Sequence, residues 1–484
     1  MASVATSNAK RGLRGGGITV IAQLSKTLLQ LVSLVVLSRL LDPDDFGLVA
    51  MVTVALALGD LLRDFGMPTA ALQARELSHQ QASNMFWVNA LLGSAAAVLV
   101  IASTPLLAAL YDEPRLTPLV PALALTLVLN GLQVQLQVQL ARAGRFLALN
   151  LTDLLAQVVA LVAAIGIAVA GGGYWALVAQ AVMASIALLL LRTSVARWLP
   201  ARPARGAGTL ETVRAGAHIG ASQVLTFASA NVDTIVIGAA LGPAEVGYYN
   251  RAFQLLTAPI SRLLGPLTQV ALPTFNARER GPRERNEILL KLQFLLGAPG
   301  VVVFAATAAV ASPLVDLLLG PGWERTAPIF AILAVGGCFN VLSYVSYWAF
   351  LVHAKPRELL RYNLVSKPMV IALVCVGSLY GLHGVATGYS AGLAFSWLLN
   401  LFWLGRTVEL PAVRFLLNGG KLLVSGGLGF IAGSLCERLV GEWAGTAGGL
   451  AAGLAAAITV TSASILVFPS SRGAAADLKR LVRS

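Results

Sequence analysis

The chain has 484 residues, 57% of them hydrophobic and 12% charged, and its 35 Lys and Arg against 22 Asp and Glu give a net charge of +13. A soluble domain carries about 25% charged residues, so this composition argues against a water-soluble enzyme. The basic excess would suit nucleic acid, but no basic stretch is interleaved with aromatic residues, and no nucleic-acid partner is expected.

Apolar runs long enough to cross a hydrocarbon layer of about 30 Å recur fourteen times along the chain. They lie at 18–38, 46–66, 86–110, 118–140, 148–170, 173–195, 215–240, 247–273, 291–319, 327–352, 364–380, 384–404, 413–436 and 445–468. No alternating pattern of barrel length occurs, and helices satisfy their own backbone groups in lipid. The expected fold is an all-α polytopic membrane protein of about fourteen transmembrane helices. The first run follows Lys10, Arg11 and Arg14 as a signal peptide would, yet it has no small-x-small cleavage site before Arg39 and reads as a retained helix. Cys338, Cys375 and Cys436 all fall in apolar runs, giving neither a disulfide framework nor metal spacing, so no metal site is expected.

With the N-terminus in the cytoplasm, 28 of the 35 basic residues fall on the cytoplasmic side, Arg192 and Lys367 among them. The acidic residues outside the membrane split nine to nine, as expected where Lys and Arg set topology. The reading is therefore a multi-pass protein of the inner membrane with both termini cytoplasmic, its basic loops attracting anionic membrane lipid. The stretch 278–291 reads as an amphipathic helix on the cytoplasmic surface that offers Ile288, Leu289 and Leu292 to lipid. The extracytoplasmic connections are short.

An internal repeat organises the runs. Leu41-Asp42-Pro43-Asp44-Asp45-Phe46-Gly47 and Leu241-Gly242-Pro243-Ala244-Glu245-Val246-Gly247 share L-x-P-x-[DE]-x-G, and Gly172-Gly173-Tyr174-Trp175-Ala176 answers Gly381-Leu382-His383-Gly384-Val385-Ala386. The expected division is a cytoplasmic N-terminus (1–17), an N-lobe of six helices (18–196), a Pro/Gly-containing cytoplasmic linker (197–214), a C-lobe of six helices (215–405), two extra helices (406–468) and a cytoplasmic tail (469–484). Six is even, so the halves form a parallel repeat, the design of transporters with a substrate path between them.

Ionisable groups inside the bilayer cost at least about 2.5–3.5 kcal/mol, and so face a cavity or a partner. The first helix aligns Gln23, Lys26, Thr27, Gln30 and Ser33, and the seventh aligns Ser222, Thr226, Ser229 and Asp233. Both stripes are expected to line one central space, with Asp60 as the counter-ion of Lys26 and Arg262 as its counterpart in the eighth helix. Asp233 is open to a structural, proton or sodium role. Arg39, Arg63 and Arg251 read as helix-end residues that snorkel, and Asp153 reads as a cap after Asn150 and Thr152. Asp316 and His218 read as interfacial. Gln133, Gln135, Gln137 and Gln139 form two helical rows, suggesting a wet face on the fourth helix.

Ser38 to Leu48, Leu61-Leu62-Arg63-Asp64-Phe65-Gly66-Met67, Gly172 to Val178, Asn231-Val232-Asp233, Gly247-Tyr248-Tyr249-Asn250-Arg251-Ala252 and Gly320-Pro321-Gly322-Trp323 together resemble the Wzx-type polysaccharide flippases. These belong to the multidrug/oligosaccharidyl-lipid/polysaccharide exporter superfamily. The resemblance covers residues 18 to about 468. It implies export of a polyprenyl-pyrophosphate-linked oligosaccharide to the outer leaflet, for surface polysaccharide made beside a polymerase. It also implies a cationic cavity for the pyrophosphate. The second- and eighth-helix arginines of the related lipid II flippases match Arg63 and Arg251; their first-helix arginines have no match, and Lys26 is the nearest basic residue. Lys26, Arg63, Arg251 and Arg262 are therefore the expected substrate contacts, and Asp60, Asp233, Gln23 and Gln30 the expected ion-coupling or cavity residues. No cofactor and no catalytic residue are expected. A proton or sodium gradient is the expected driving force. Two alternatives stand beside this reading: an ion-coupled small-molecule exporter of the same superfamily, and a membrane enzyme acting on lipid-linked sugar, which short outer loops disfavour.

Overall fold

The computed structural model describes residues 22–64, 68, 71–72, 77–204, 231–257, 282–353, 355–408 and 410–467, and every regular element among them is helical. The first stretch holds α1 (22–40), α2 (Pro43–Asp64), α3 (His79–Ala102), a short α4 (Thr104–Tyr111), α5 (Leu116–Arg142), α6 (Phe146–Val169) and α7 (Trp175–Ala196). Beyond residue 230 come α8 (Val232–Leu241), α9 (243–257), α10 (Pro282–Ala309), a short α11 (Ala311–Leu318), α12 (Thr326–Val352), α13 (Pro356–Ser378), α14 (Gly381–Thr407) and α15 (Ala412–Val467).

Ten of the described helices are long and apolar enough to cross a membrane. One of them, α15, holds two spans: its 56 residues would reach roughly 84 Å at 1.5 Å per residue. Gly445, at φ 73°, breaks it, a conformation that glycine adopts without steric cost. Each of the fourteen apolar runs coincides at least in part with a helix.

The helix ends differ from the apolar runs where polar residues start a helix. α3 begins seven residues before its run, because the Ser78 hydroxyl accepts from the Gln81 N–H and the Gln81 side chain accepts from the Ser78 N–H. This reciprocal cap satisfies two donors that a helix start otherwise leaves open. α13 begins at Pro356 rather than 364, and its first turns carry the ion pair Arg361–Glu358 (2.7 Å). The expected surface helix at 278–291 is corrected: from Pro282 the chain forms one helix continuous to Ala309, with Leu289 fully buried and Ile288 and Leu292 half-buried. Residues 278–281 lie outside the described residues.

The duplication is visible in helix lengths. α4 and α11 each have 8 residues, α5 and α12 each have 27, and α6 and α13 have 24 and 23. Arg115 and Arg325 both precede the long helix in right-handed helical conformation, and Gly171 and Gly381 both take positive φ, 80° and 73°.

The chain gathers into two compact units, Met1–Gly247 and Tyr248–Ser484. In the first, the two L-x-P-x-[DE]-x-G motifs meet backbone to backbone. A Cβ on Gly47 would lie 1.7 Å from the Pro243 carbonyl oxygen, and one on Gly247 would lie 1.9 Å from that of Pro43. The motif is thus a reciprocal contact that tolerates no side chain. Around it, Asp44 pairs with Arg115 (2.6 Å), and the Asp45 carboxylate accepts from the Tyr174 backbone N–H. Residues 197–204 run along α3, where the Asn84 amide meets both backbone groups of Ala204 (2.8 and 3.0 Å), Gln80 donates to the Arg202 carbonyl and Trp87 to that of Ala201. In the second unit, Tyr248 meets Trp323 edge-on at 6.0 Å, and the Arg325 guanidinium lies 5.3 Å from its ring centre. Trp323, Trp348, Tyr249, Phe350 and Phe415 are the largest fully buried side chains of its core.

Candidate substrate-binding site

The first unit encloses an ionic cluster built from four helices. Lys26 of α1 donates to both Asn150 (3.0 Å) and Asp153 (2.5 Å to Oδ2) of α6. Arg192 of α7 donates through Nη2 to the other carboxylate oxygen of Asp153 (2.6 Å) and through Nη1 to Gln137 (3.1 Å) and Gln133 of α5. The three charged side chains are 13%, 24% and 4% exposed for Lys26, Asp153 and Arg192, so two cations share one carboxylate in an enclosed space with one positive charge in excess. Charges withdrawn from water need compensation, since desolvation costs several kcal/mol per ion. The Nε–H of Arg192 is buried with no acceptor among the described residues.

Several expectations are corrected here. Asp153 is not a cap: α6 starts at Phe146, so Asp153 lies two turns inside and pairs with Lys26. Asp60 is therefore not the counter-ion of Lys26; it accepts from Arg63 (2.5 Å), which also pairs with Asp64 (2.7 Å). Arg63 does not snorkel freely, because it is buried between these two carboxylates one helical turn apart. Arg192, counted with the cytoplasmic loop residues, is buried within α7. Of the glutamine rows on α5, one turns Gln133 and Gln137 toward Arg192, and Gln135 on the other is buried without a hydrogen bond among the described residues. In each row one amide is buried, Gln133 and Gln135, while Gln137 is exposed and Gln139 half-buried, so the expected wet face is only partial.

The remaining candidates are scattered. Gln23 and Gln30 are exposed on α1, where Thr27 donates to the Gln23 carbonyl, and Ser33 accepts from Gln180 (2.7 Å). Asp233 is buried in the first turn of α8, its carboxylate accepting from the Thr234 N–H (2.9 Å). Arg251 is nine residues into α9, not at its end, and donates to Gln254 (3.0 Å), which donates to Asn250. Arg262, Ser222, Thr226, Ser229 and His218 lie outside the described residues, and with them the expected alignment of the two polar stripes.

Sequence reasoning missed Asp153, Arg192 and Asn150 as members of one site. Arg192 stands beside Thr193, Ser194 and Arg197 and looks like a loop flank. The usable signal was the i,i+4 spacing of Gln133 and Gln137, which puts two amides on one side of α5.

The described residues contain no group of three or more His, Cys, Asp or Glu placed to hold a metal. A family model described as polysaccharide biosynthesis protein matches residues 36–328. The lipopolysaccharide biosynthesis protein WzxC of Escherichia coli (strain K12) is 25% identical over 424 residues, 83% of this chain and 84% of that protein. The succinoglycan biosynthesis transport protein ExoT of Rhizobium meliloti (strain 1021) is 23% identical over 387 residues, 76% of this chain and 78% of that protein. Among solved structures, the lipid II flippase MurJ in its inward closed conformation covers 92% of this chain and 98% of its own at a TM-score of 0.70, with 14% identity, a likeness of fold. The Wzx-type resemblance of the motifs and the polytopic helical fold agree with these matches, and the chain belongs to the polysaccharide biosynthesis protein family.

Proposed function

We propose that this chain flips a polyprenyl-pyrophosphate-linked oligosaccharide from the cytoplasmic to the outer leaflet of the bacterial inner membrane, opening alternately to the two sides. The carrying observation is the enclosed ionic cluster with one positive charge in excess, on a membrane protein of a polysaccharide-biosynthesis family. A sugar alone needs no such charge, whereas a pyrophosphate does. Away from bulk water an ion pair gains several-fold in strength. Arg192 can grip phosphate oxygens bidentately and Lys26 act as a point charge. Arg63, Arg251 and Arg262 are further phosphate contacts in this reading, Asp60 and Asp233 the carboxylates through which a proton or sodium gradient would act, and Gln23 and Gln30 the polar lining. The protein is a transporter rather than an enzyme, and the polymerase is its downstream neighbour.

The competing reading, export of a free small molecule, separates from this one in cells. Lys26→Ala and Arg63→Ala should each abolish surface polysaccharide while protein level is kept, and lipid-linked oligosaccharide should accumulate. Full export by the double variant contradicts the proposal.

A further inference from the structure

We infer that Asp153 is a stand-in anion: between Lys26 and Arg192 it occupies the place of a substrate phosphate, which displaces it on loading and is expelled when it returns. The inference rests on the pyrophosphate reading above. It adds Arg192 as a direct headgroup contact and gives the site a means of letting go.

Three observations carry it. Asp153 presents one oxygen to each cation, Oδ2 to Lys26 at 2.5 Å and Oδ1 to Arg192 at 2.6 Å, the bridging arrangement that two oxygens of one phosphate also offer. The cations do not depend on it for position: Asn150 accepts from Lys26, and Gln133 and Gln137 accept from Arg192. Neutral amides hold the two donors in place and the carboxylate supplies only charge, so the carboxylate can leave without the site collapsing. Unused capacity also remains, because the Nε–H of Arg192 is buried without an acceptor among the described residues. A phosphate has more acceptor oxygens than a carboxylate and can fill that position as well. Asp153, at 24% exposure, is the most accessible of the three charged groups, as a displaceable one must be.

The alternative is a structural ion pair, and affinity separates the two. A competitor built into the site lowers apparent affinity by the fraction of time that it leaves the site free. The full chain is purified in detergent and titrated with inorganic pyrophosphate at constant ionic strength, binding being read from thermal stabilisation. Asp153→Asn should bind pyrophosphate about tenfold or more tightly than the unaltered chain, and Lys26→Gln and Arg192→Gln about tenfold or more weakly. Unchanged or weaker binding by Asp153→Asn, or no response from any of these proteins, overturns the assignment.

The pair Lys26→Met with Asp153→Asn guards against misfolding, since it removes one charge of each sign. A structural role predicts that this double variant regains both protein level and polysaccharide export. The stand-in role predicts recovered protein level with export still lost, and export at the unaltered level overturns it. Tighter pyrophosphate binding by Asp153→Asn in a protein that moves no lipid-linked glycan would retain the anion site while removing the flippase reading.

Discussion

The two halves of the molecule share helix lengths but not chemistry. At an offset of 210, Gln133, Gln137, Asn150, Asp153 and Arg192 of the first half answer Ser343, Tyr347, Leu360, Asn363 and Phe402 of the second, and at 200 Lys26 answers Thr226. Where α6 carries the carboxylate shared by two cations, α13 carries a neutral amide, and the neighbouring Tyr362 donates to the Ser396 carbonyl (2.9 Å). The scaffold can therefore be built without the ionic cluster. What the first half adds is charge, and charge enclosed at a cost needs a reason outside the scaffold.

The contrast between the halves is largest where the carboxyl and its counterpart are removed in turn. Asp153→Ala should destabilise by about 1–3 kcal/mol, because two cations lose their anion while the amides still hold them in place. Asn363→Ala should change stability by about 0.5 kcal/mol or less, because this half-buried neutral amide holds no charge in place. Thermal unfolding in detergent, followed by tryptophan fluorescence, gives both numbers. Equal losses would mean that the two halves use these positions alike.

A smaller contrast lies in the loops before the long helices. Arg115 is tied to Asp44 and Glu113 (2.6 and 2.7 Å), whereas the corresponding Arg325 lies over the Tyr248 ring. The side-chain hydrogen bond from Arg115 holds the Glu113 carboxyl below its ordinary pKa against the opposing effect of burial, with lesser help from the Arg115 backbone N–H and its charge. A carboxyl lowered in the folded state stabilises above its unfolded pKa, and that contribution is lost as pH falls through the folded one. The arginine–ring contact has no acid titration. Arg115→Gln should therefore flatten the loss of stability on acidification, by less than about 1 kcal/mol because the arginine is exposed and screened by solvent. Arg325→Gln should flatten that slope less, since its ring contact adds nothing that titrates in acid. A series of unfolding temperatures from neutral to acid pH reads the difference.

What could be read from sequence and what could not follow one physical line. Hydropathy and the repeated motifs showed the spans, the duplication and the family, because each is a local pattern. The helix starts at His79 and Pro356 were missed, since caps and polar first turns carry no apolar signal. The site was half legible. Lys26 stood out as a cation in an apolar run, but its partner is 127 residues away, and Arg192 is 39 from Asp153. Asp153 and Arg192 sit near the ends of the apolar runs 148–170 and 173–195, where capping and snorkelling explain a charge equally well. Asp60 was matched to Lys26 by depth alone, while a closer arginine, Arg63, was available one helical turn along α2.

The central claim, that enclosed cations of the first half carry a pyrophosphate-linked glycan across the membrane, is tested most directly in proteoliposomes. The full chain is reconstituted with polyprenyl-pyrophosphate-linked oligosaccharide, and the glycan reaching the far leaflet is followed over time by its reaction with an impermeant oxidant. The unaltered chain should expose the glycan progressively, and Lys26→Ala should do so at least about tenfold more slowly, a loss of roughly 1.4 kcal/mol in the barrier-determining state. Equal rates for the two proteins would contradict the account.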